Sequence, residues 1–115
     1  NDEDRGVPEA VGEAGDAIAA AVDAIVERLG RGGRLVYAGA GSSGRLGWVD
    51  ASECENTFST DRVLAVMVED ALEDDAEVGA REIETLALGQ DDVFVGISAS
   101  GRTPYALGAL RAARE

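Results

Sequence analysis

One stretch constrains this chain more than any other: Leu35-Val36-Tyr37-Ala38 running into Gly39-Ala40-Gly41-Ser42-Ser43-Gly44-Arg45-Leu46-Gly47. The apolar tetrad reads as a buried strand. The small residues and hydroxyls after it suit a tight turn, and Leu46-Gly47-Trp48-Val49 reads as the start of a helix. Such a turn aims backbone N–H groups and hydroxyls at one point, beside the positive end of a helix dipole, and so forms a seat for an anion such as phosphate. A second segment repeats the chemistry. Ser98-Ala99-Ser100-Gly101-Arg102-Thr103 follows another apolar run, Val93-Phe94-Val95-Gly96-Ile97.

The rest of the chain sets these loops in an alternating pattern. Val11, Ile18, Val22, Ile25, Val26 and Leu29 recur at helical spacing, which predicts an amphipathic helix from Glu9 to Leu29 with Pro8 in its first turn. Residues Asn1 to Val7 are polar and acidic, without periodicity. Strands are expected at Arg34–Ala38, Val63–Val68 and Asp92–Ile97. Helices are expected from about Gly44 to Ser52, from about Asp74 to Leu88, and after Pro104. Cys54 to Arg62 reads as irregular, because Thr57, Ser59, Thr60 and Asp61 favour turns. Helices alternating with short apolar strands mean an α/β fold: a doubly wound parallel sheet in three layers, with right-handed crossovers. Residues 1–33 are expected to form a helical segment and residues 34–115 the α/β domain.

Composition narrows the partners. The 115 residues carry a formal net charge of −13, and all ten basic residues are Arg. No basic stripe exists to neutralise a nucleic acid backbone. No apolar run is long enough to span a membrane. Without Lys a Walker-type phosphate loop is excluded, and without His so are Ser-His and Cys-His nucleophile systems. The single cysteine, Cys54, excludes an internal disulfide and suits a reducing compartment. It reads as a small core residue rather than a nucleophile.

In open parallel sheets ligands bind beyond the carboxyl ends of the strands. Both hydroxyl loops stand at such ends. If their strands are neighbours, Ser42, Ser43, Ser98, Ser100 and Thr103 converge on one anion; otherwise these hydroxyls cap helices. Arg45 and Arg102 each follow a Ser-Gly pair, and each serves either a ligand or an ion pair with Asp50 or Glu53. The first loop fits a dinucleotide fingerprint poorly, since no acidic residue closes a following strand at the right distance. Asp50 and Glu53 share a helical face, and a carboxylate beside Trp48 and Val49 could act as an acid or base. Glu69, Asp70, Glu73, Asp74 and Asp75 read as a solvated loop or helix start.

Gly32-Gly33-Arg34-Leu35-Val36-Tyr37 through Gly47, then Asp50-Ala51-Ser52-Glu53-Cys54, resembles the N-acetylmuramic acid 6-phosphate etherases. So does Val95-Gly96-Ile97-Ser98-Ala99-Ser100-Gly101-Arg102-Thr103-Pro104-Tyr105, as does the opening Asn1-Asp2-Glu3-Asp4 with Val7-Pro8. Those proteins carry a SIS (sugar isomerase) domain, related to the glucokinase regulatory protein. The resemblance implies a SIS-type fold, here an incomplete copy of the full domain, in a cytoplasmic lyase of cell-wall recycling. It implies elimination of D-lactate from the sugar's ether, followed by addition of water to give N-acetylglucosamine 6-phosphate. Glu53 matches the family's protonator of the departing lactate oxygen. Glu73 matches the base that takes the C2 proton, with Glu69 as its competitor, because the chain looks shorter than the family between Val68 and Glu73. No cofactor and no metal is implied; the partners are the phosphorylated amino sugar and a second subunit in a homodimer, which often completes the site. Ser42, Ser43, Arg45, Ser98, Ser100, Arg102 and Thr103 would hold the 6-phosphate and the sugar hydroxyls. A phosphosugar sensor without turnover is the alternative function, and an aldose–ketose isomerase a third that the Glu53 motif disfavours.

Overall fold

A computed structural model describes residues 2–69 and 72–115; Asn1, Asp70 and Ala71 lie outside the described residues, and with them the first residue of the acidic opening and one member of the 69–75 acidic cluster. The elements run α1 (Asp2–Glu13), α2 (Gly15–Gly30), β1 (Leu35–Ala40), α3 (Gly41–Phe58), β2 (Val63–Val68), α4 (Ala76–Leu86), β3 (Val93–Ile97) and α5 (Pro104–Arg114). The strands form a parallel sheet in the order β2-β1-β3. Leu35 is in register with Val63 on one side and Val93 on the other. The expected α/β fold with a parallel sheet is what forms.

Strand alternation assigns the two faces of β1. Val36, Ala38 and Ala40 point to one side, where they form the core with Val68, Ile83, Tyr105 and Ala109 from β2, α4 and α5. Tyr37 and Gly39 point to the other, against α3. There Gly47 faces the Tyr37 ring and Gly44 lies so close to Gly39 that a side chain on either would strike backbone. A helix brought that near the sheet must carry small residues on its inner face, and the buried positions of α3 are Gly44, Gly47 and Ala51. On the opposite face α4 and α5 cross just as closely, with Gly79 against the Tyr105 carbonyl and Gly108 against the Ala76 carbonyl.

Two sequence expectations are corrected. The N-terminal helix is two: α1 starts at Asp2, takes Pro8 into its interior, and yields to α2 at Ala14, between Gly12 and Gly15. These glycines weaken the helix where it breaks. Second, α3 extends to Phe58 rather than Ser52, and ends with Ser59 in the left-handed region at φ 54°. The large apolar residues of the N-terminal helices stand outside the core: Val7, Val11, Ile18, Val22 and Val26 are all exposed.

One carboxylate ties the amino ends of β1 and β3 together. Asp92 accepts from the Arg34 backbone N–H at 2.7 Å, the Arg34 guanidinium at 2.8 Å and the Gly89 N–H at 2.8 Å. The Arg34 guanidinium and these N–H donors hold its pKa down, to about 2. Arg28 reaches the Asp92 carbonyl and Arg62 reaches the Leu29 carbonyl, so the end of α2 is fastened to the same edge of the sheet.

Candidate functional site

Because β1 pairs with β3, the two hydroxyl loops leave neighbouring strands at the same carboxyl edge. Each loop turns on a glycine with positive φ, Gly41 at 56° and Gly101 at 72°. A residue with a Cβ would be strained at either place. Gly41 swings the chain directly from β1 into α3, so Ser42 and Ser43 lie in the first turn of that helix. Ala40 caps α3 and supplies no side-chain acceptor, and the Thr103 side chain does not cap α5. The hydroxyls therefore do not serve as helix caps here. The backbone N–H groups in the first turn of α3 keep their donor capacity at the positive end of an 18-residue helix.

The two loops differ in how their hydroxyls are committed. Among the described residues no hydrogen bond engages the side chain of Ser42 or Ser43; Ser42 is exposed and Ser43 half-buried. The second loop is braced from within. Ser98 Oγ lies 2.7 Å from Thr103 Oγ1 and 3.4 Å from Ser100 Oγ, and the N–H groups of Gly101 and Arg102 donate to Ser98 and Ser100 at 3.0 Å. Arg45 and Arg102 are exposed and form no ion pair among the described residues. Two depressions flank the edge. Gly41, Arg45, Met67, Val68 and Glu69 line one, and Gly96, Ser98, Gly101, Thr103, Ala106, Leu107 and Leu110 line the other.

The two candidate acid–base residues are placed very differently. Glu73 lies in the turn between β2 and α4, where its carbonyl accepts the Tyr105 N–H at 2.9 Å. This fixes its backbone two residues from Thr103, at the rim of the second loop. Glu69 lies beside Arg45 in the first depression. Glu53 is on the exposed surface of α3, about 18 Å along the axis from Gly41 at about 1.5 Å per residue. Asp50 lies one turn nearer and is held by the Tyr37 hydroxyl, which donates to it at 2.6 Å. Trp48 and Val49 are 54% and 46% exposed and so enclose neither carboxylate.

A family model described as the glucokinase regulatory protein N-terminal SIS domain matches residues 17–114. The chain belongs to this SIS family. The SIS chain is also similar to curated relatives named N-acetylmuramic acid 6-phosphate etherase. That of Rubrobacter xylanophilus is 49% identical over 124 residues, covering 98% of this chain and 41% of the relative. That of Cutibacterium acnes is 49% identical over 125 residues, covering 99% and 41%. That of Yersinia pestis is 48% identical over 127 residues, covering 100% of this chain and 43% of the relative. The SIS chain thus spans about two fifths of the length of the curated relatives it matches. The Yersinia pestis alignment needs 127 positions to take in all 115 residues, 12 more than the chain has, so that relative carries about a dozen positions with no counterpart here.

Several polar contacts of the SIS domain were not legible in local sequence pattern. Burial first, and then Asp50, raise the Tyr37 pKa above the usual tyrosine range. Burial likewise raises the Cys54 thiol, with Asp50 and Glu53 adding to it, so the sulfur stays protonated and a poor nucleophile. Tyr105 is fully buried and donates to Glu82 Oε2 at 2.6 Å. The partners Tyr37 and Asp50, Arg34 and Asp92, and Glu82 and Tyr105 lie 13, 58 and 23 residues apart. No single helical or strand period links them. Among the described residues no helix is long and apolar enough to cross a membrane, and no group of three or more His, Cys, Asp or Glu is placed to hold a metal ion.

Proposed function

We propose that this chain is the phosphosugar-binding part of an N-acetylmuramic acid 6-phosphate etherase. The observation that carries the reading is the pairing of the two hydroxyl loops on adjacent strands, with α3 beginning in one of them uncapped by any side chain. A phosphate at the first turn of α3 takes N–H donors, the free hydroxyls of Ser42 and Ser43, and Arg45. Ser98, Ser100, Thr103 and Arg102 then face the remainder of the sugar. The shared etherase name of the relatives supports the choice of substrate.

In the proposed reaction Glu73 removes the C2 proton of the open-chain aldehyde sugar. The C–H electron pair becomes the C2=C3 double bond, the C3–O bond breaks, and the lactate oxygen takes a proton from Glu53. Water then adds across the double bond. Glu53, now a carboxylate, takes a proton from the water attacking C3, and Glu73 returns its proton to C2. Both glutamates end as they began, and N-acetylglucosamine 6-phosphate and D-lactate leave. Acid and base work of this kind needs each carboxyl within hydrogen-bond reach of its atom.

Glu53 stands about 18 Å down α3 from its own first loop, beyond the reach of its side chain. In this reading it therefore serves the site of a second copy in a cytoplasmic homodimer that binds neither nucleic acid nor membrane. Mixing subunits tests this in the full-length protein that carries this chain. Glu53→Gln and Glu73→Gln homodimers should each fail to release lactate. Random reassortment of the two in equal amounts should restore about one quarter of the parent rate, because half the dimers then hold one intact site. No recovery places both glutamates in one subunit's site. Parent-level turnover by Glu73→Gln with loss in Glu69→Gln moves the base to Glu69. If every glutamate variant binds the sugar phosphate and the parent releases no lactate, the protein is a sensor.

A further inference from the structure

We infer that Tyr105 is a positioning residue for Glu73, holding the glutamate-bearing turn and the second hydroxyl loop as one rigid body. The inference rests on the reading of Glu73 as the base.

Tyr105 is the second residue of α5, immediately after Pro104. At that position a helix N–H has no partner within its own helix. Here it donates to the Glu73 carbonyl at 2.9 Å, joining two residues that are 32 positions apart in sequence. A single backbone hydrogen bond at a loop would not fix a catalytic group, but Tyr105 is gripped at two further points. Its hydroxyl donates to Glu82 Oε2 on α4 at 2.6 Å, and its carbonyl abuts Gly79 in the first turn of the same helix. The side chain itself is fully buried. At the other end Asp75 caps α4, accepting the N–H groups of Glu77 and Val78, so the turn holding Glu73 is tied directly to α4, the helix whose Glu82 bonds the Tyr105 hydroxyl. Thr103, two residues before Tyr105, bonds to Ser98 at 2.7 Å and closes the hydroxyl loop. A continuous set of contacts therefore runs from Glu82 through Tyr105 to Glu73 on one side and to Ser98 on the other.

The consequence is chemical. Proton removal from carbon is sensitive to the placement of the base, and a shift of about 1 Å can cost about 100-fold in rate. Phosphate affinity depends on the loops instead, and these keep their own internal hydrogen bonds when the Tyr105 hydroxyl is lost. Removing that hydroxyl should thus slow the proton-transfer step and leave binding alone.

The test compares Tyr105→Phe, Glu82→Ala, Glu82→Gln and Glu73→Gln in the full-length protein, using N-acetylmuramic acid 6-phosphate with hydrogen or deuterium at C2. Tyr105→Phe and Glu82→Ala should lower kcat about tenfold with KM within about twofold, and should raise the deuterium isotope effect on kcat as C2 proton removal comes to limit turnover. Glu82→Gln, whose amide oxygen still accepts the tyrosine proton, should recover most of the rate and the parent isotope effect. A parent kcat and isotope effect in Tyr105→Phe overturns the inference. So does a lower rate with the parent isotope effect, which marks a smaller folded fraction and a structural role only. Parent turnover by Glu73→Gln overturns the underlying reading instead, and with it this inference.

Discussion

Removing the Asp92 carboxylate should loosen the amino edge of the sheet, and the loss should fade in acid. Asp92→Ala deletes an acceptor shared by the Arg34 N–H, the Arg34 guanidinium and the Gly89 N–H. Its pKa falls from the ordinary 3.8 to about 2, chiefly through the Arg34 hydrogen bond. At about 1.36 kcal/mol per unit that drop corresponds to about 2.4 kcal/mol. The Asp92 side chain is only 10% exposed, but its partner Arg34 is 31% exposed. Solvent screening there brings the expected stabilisation to about 1–2 kcal/mol. The folded carboxylate binds its proton less readily than the unfolded one. Its contribution is therefore complete above the unfolded value of 3.8 and disappears as the pH falls through about 2. Local hydrogen exchange on the full-length protein reads this directly. At pH 7, peptides covering the starts of β1 and β3 should exchange about 5- to 30-fold faster in Asp92→Ala than in the parent. At pH 3 the free-energy gap should shrink to about half. A gap that stays constant with pH, or widens in acid, refutes the electrostatic account and leaves the carboxylate as a packing group.

The remaining expectations concern packing, titration and the anion seat. Gly79→Ala and Gly108→Ala each drive a methyl into a backbone carbonyl of the facing helix and should cost about 1–3 kcal/mol, measured by thermal unfolding. Gly12→Ala, with open space around it, should be neutral or stabilising by up to about 1 kcal/mol, and a cost at all three positions would count against the close crossing. Tyr37 and Tyr105 both have raised pKa values, so their neutral forms favour the folded state, and stability should decline as the pH climbs above about 10. Difference spectra against the Tyr37→Phe and Tyr105→Phe variants should show their phenolate bands only on alkaline unfolding; a band in the folded protein near pH 10 would contradict the burial described. Ser100→Ala should weaken binding of the sugar phosphate by about 1–2 kcal/mol in calorimetry, through loss of one hydroxyl and of the brace to Arg102 N–H, and equal affinity would remove this residue from the seat.

What the sequence disclosed, and what it hid, follows from the range of the interactions. Val63–Val68 and Val93–Ile97 declare themselves as strands because short β-branched runs between turn residues have few other uses. The hydroxyl loops declare themselves through Gly41 and Gly101, whose backbone conformations suit glycine. The adjacency of β1 and β3, on which convergence of the loops depends, is a matter of strand order and has no local sign. The extent of α3 was hidden for another reason. Its buried stripe is Gly44, Gly47 and Ala51, small residues that carry little hydrophobic signal, while Leu46, Trp48, Val49 and Phe58 face outward. A reading by apolar periodicity therefore stops too early and puts Glu53 at a helix end rather than well along its side. The N-terminal helices show the converse. Val11, Ile18, Val22 and Val26 give a clear amphipathic period and yet stand exposed, because the period reports a face to be covered and not the element that covers it.

The strand order also sets a sequence of events. Leu35 meets Val63 across 28 residues of chain but meets Val93 only across 58. Closing the longer loop costs more entropy, and pairings of large sequence separation slow folding. A chain made from its amino end can join β1 to β2 and lay α3 on one side while Val36, Ala38 and Ala40 still have nothing to cover them. Those residues wait for Ile83 on α4, then for Tyr105 and Ala109, which arrive with α5. The first hydroxyl loop is thus complete early and the second takes its place beside it only after β3 and α5 have been made, so a nascent chain acquires the two halves of its anion seat in separate steps.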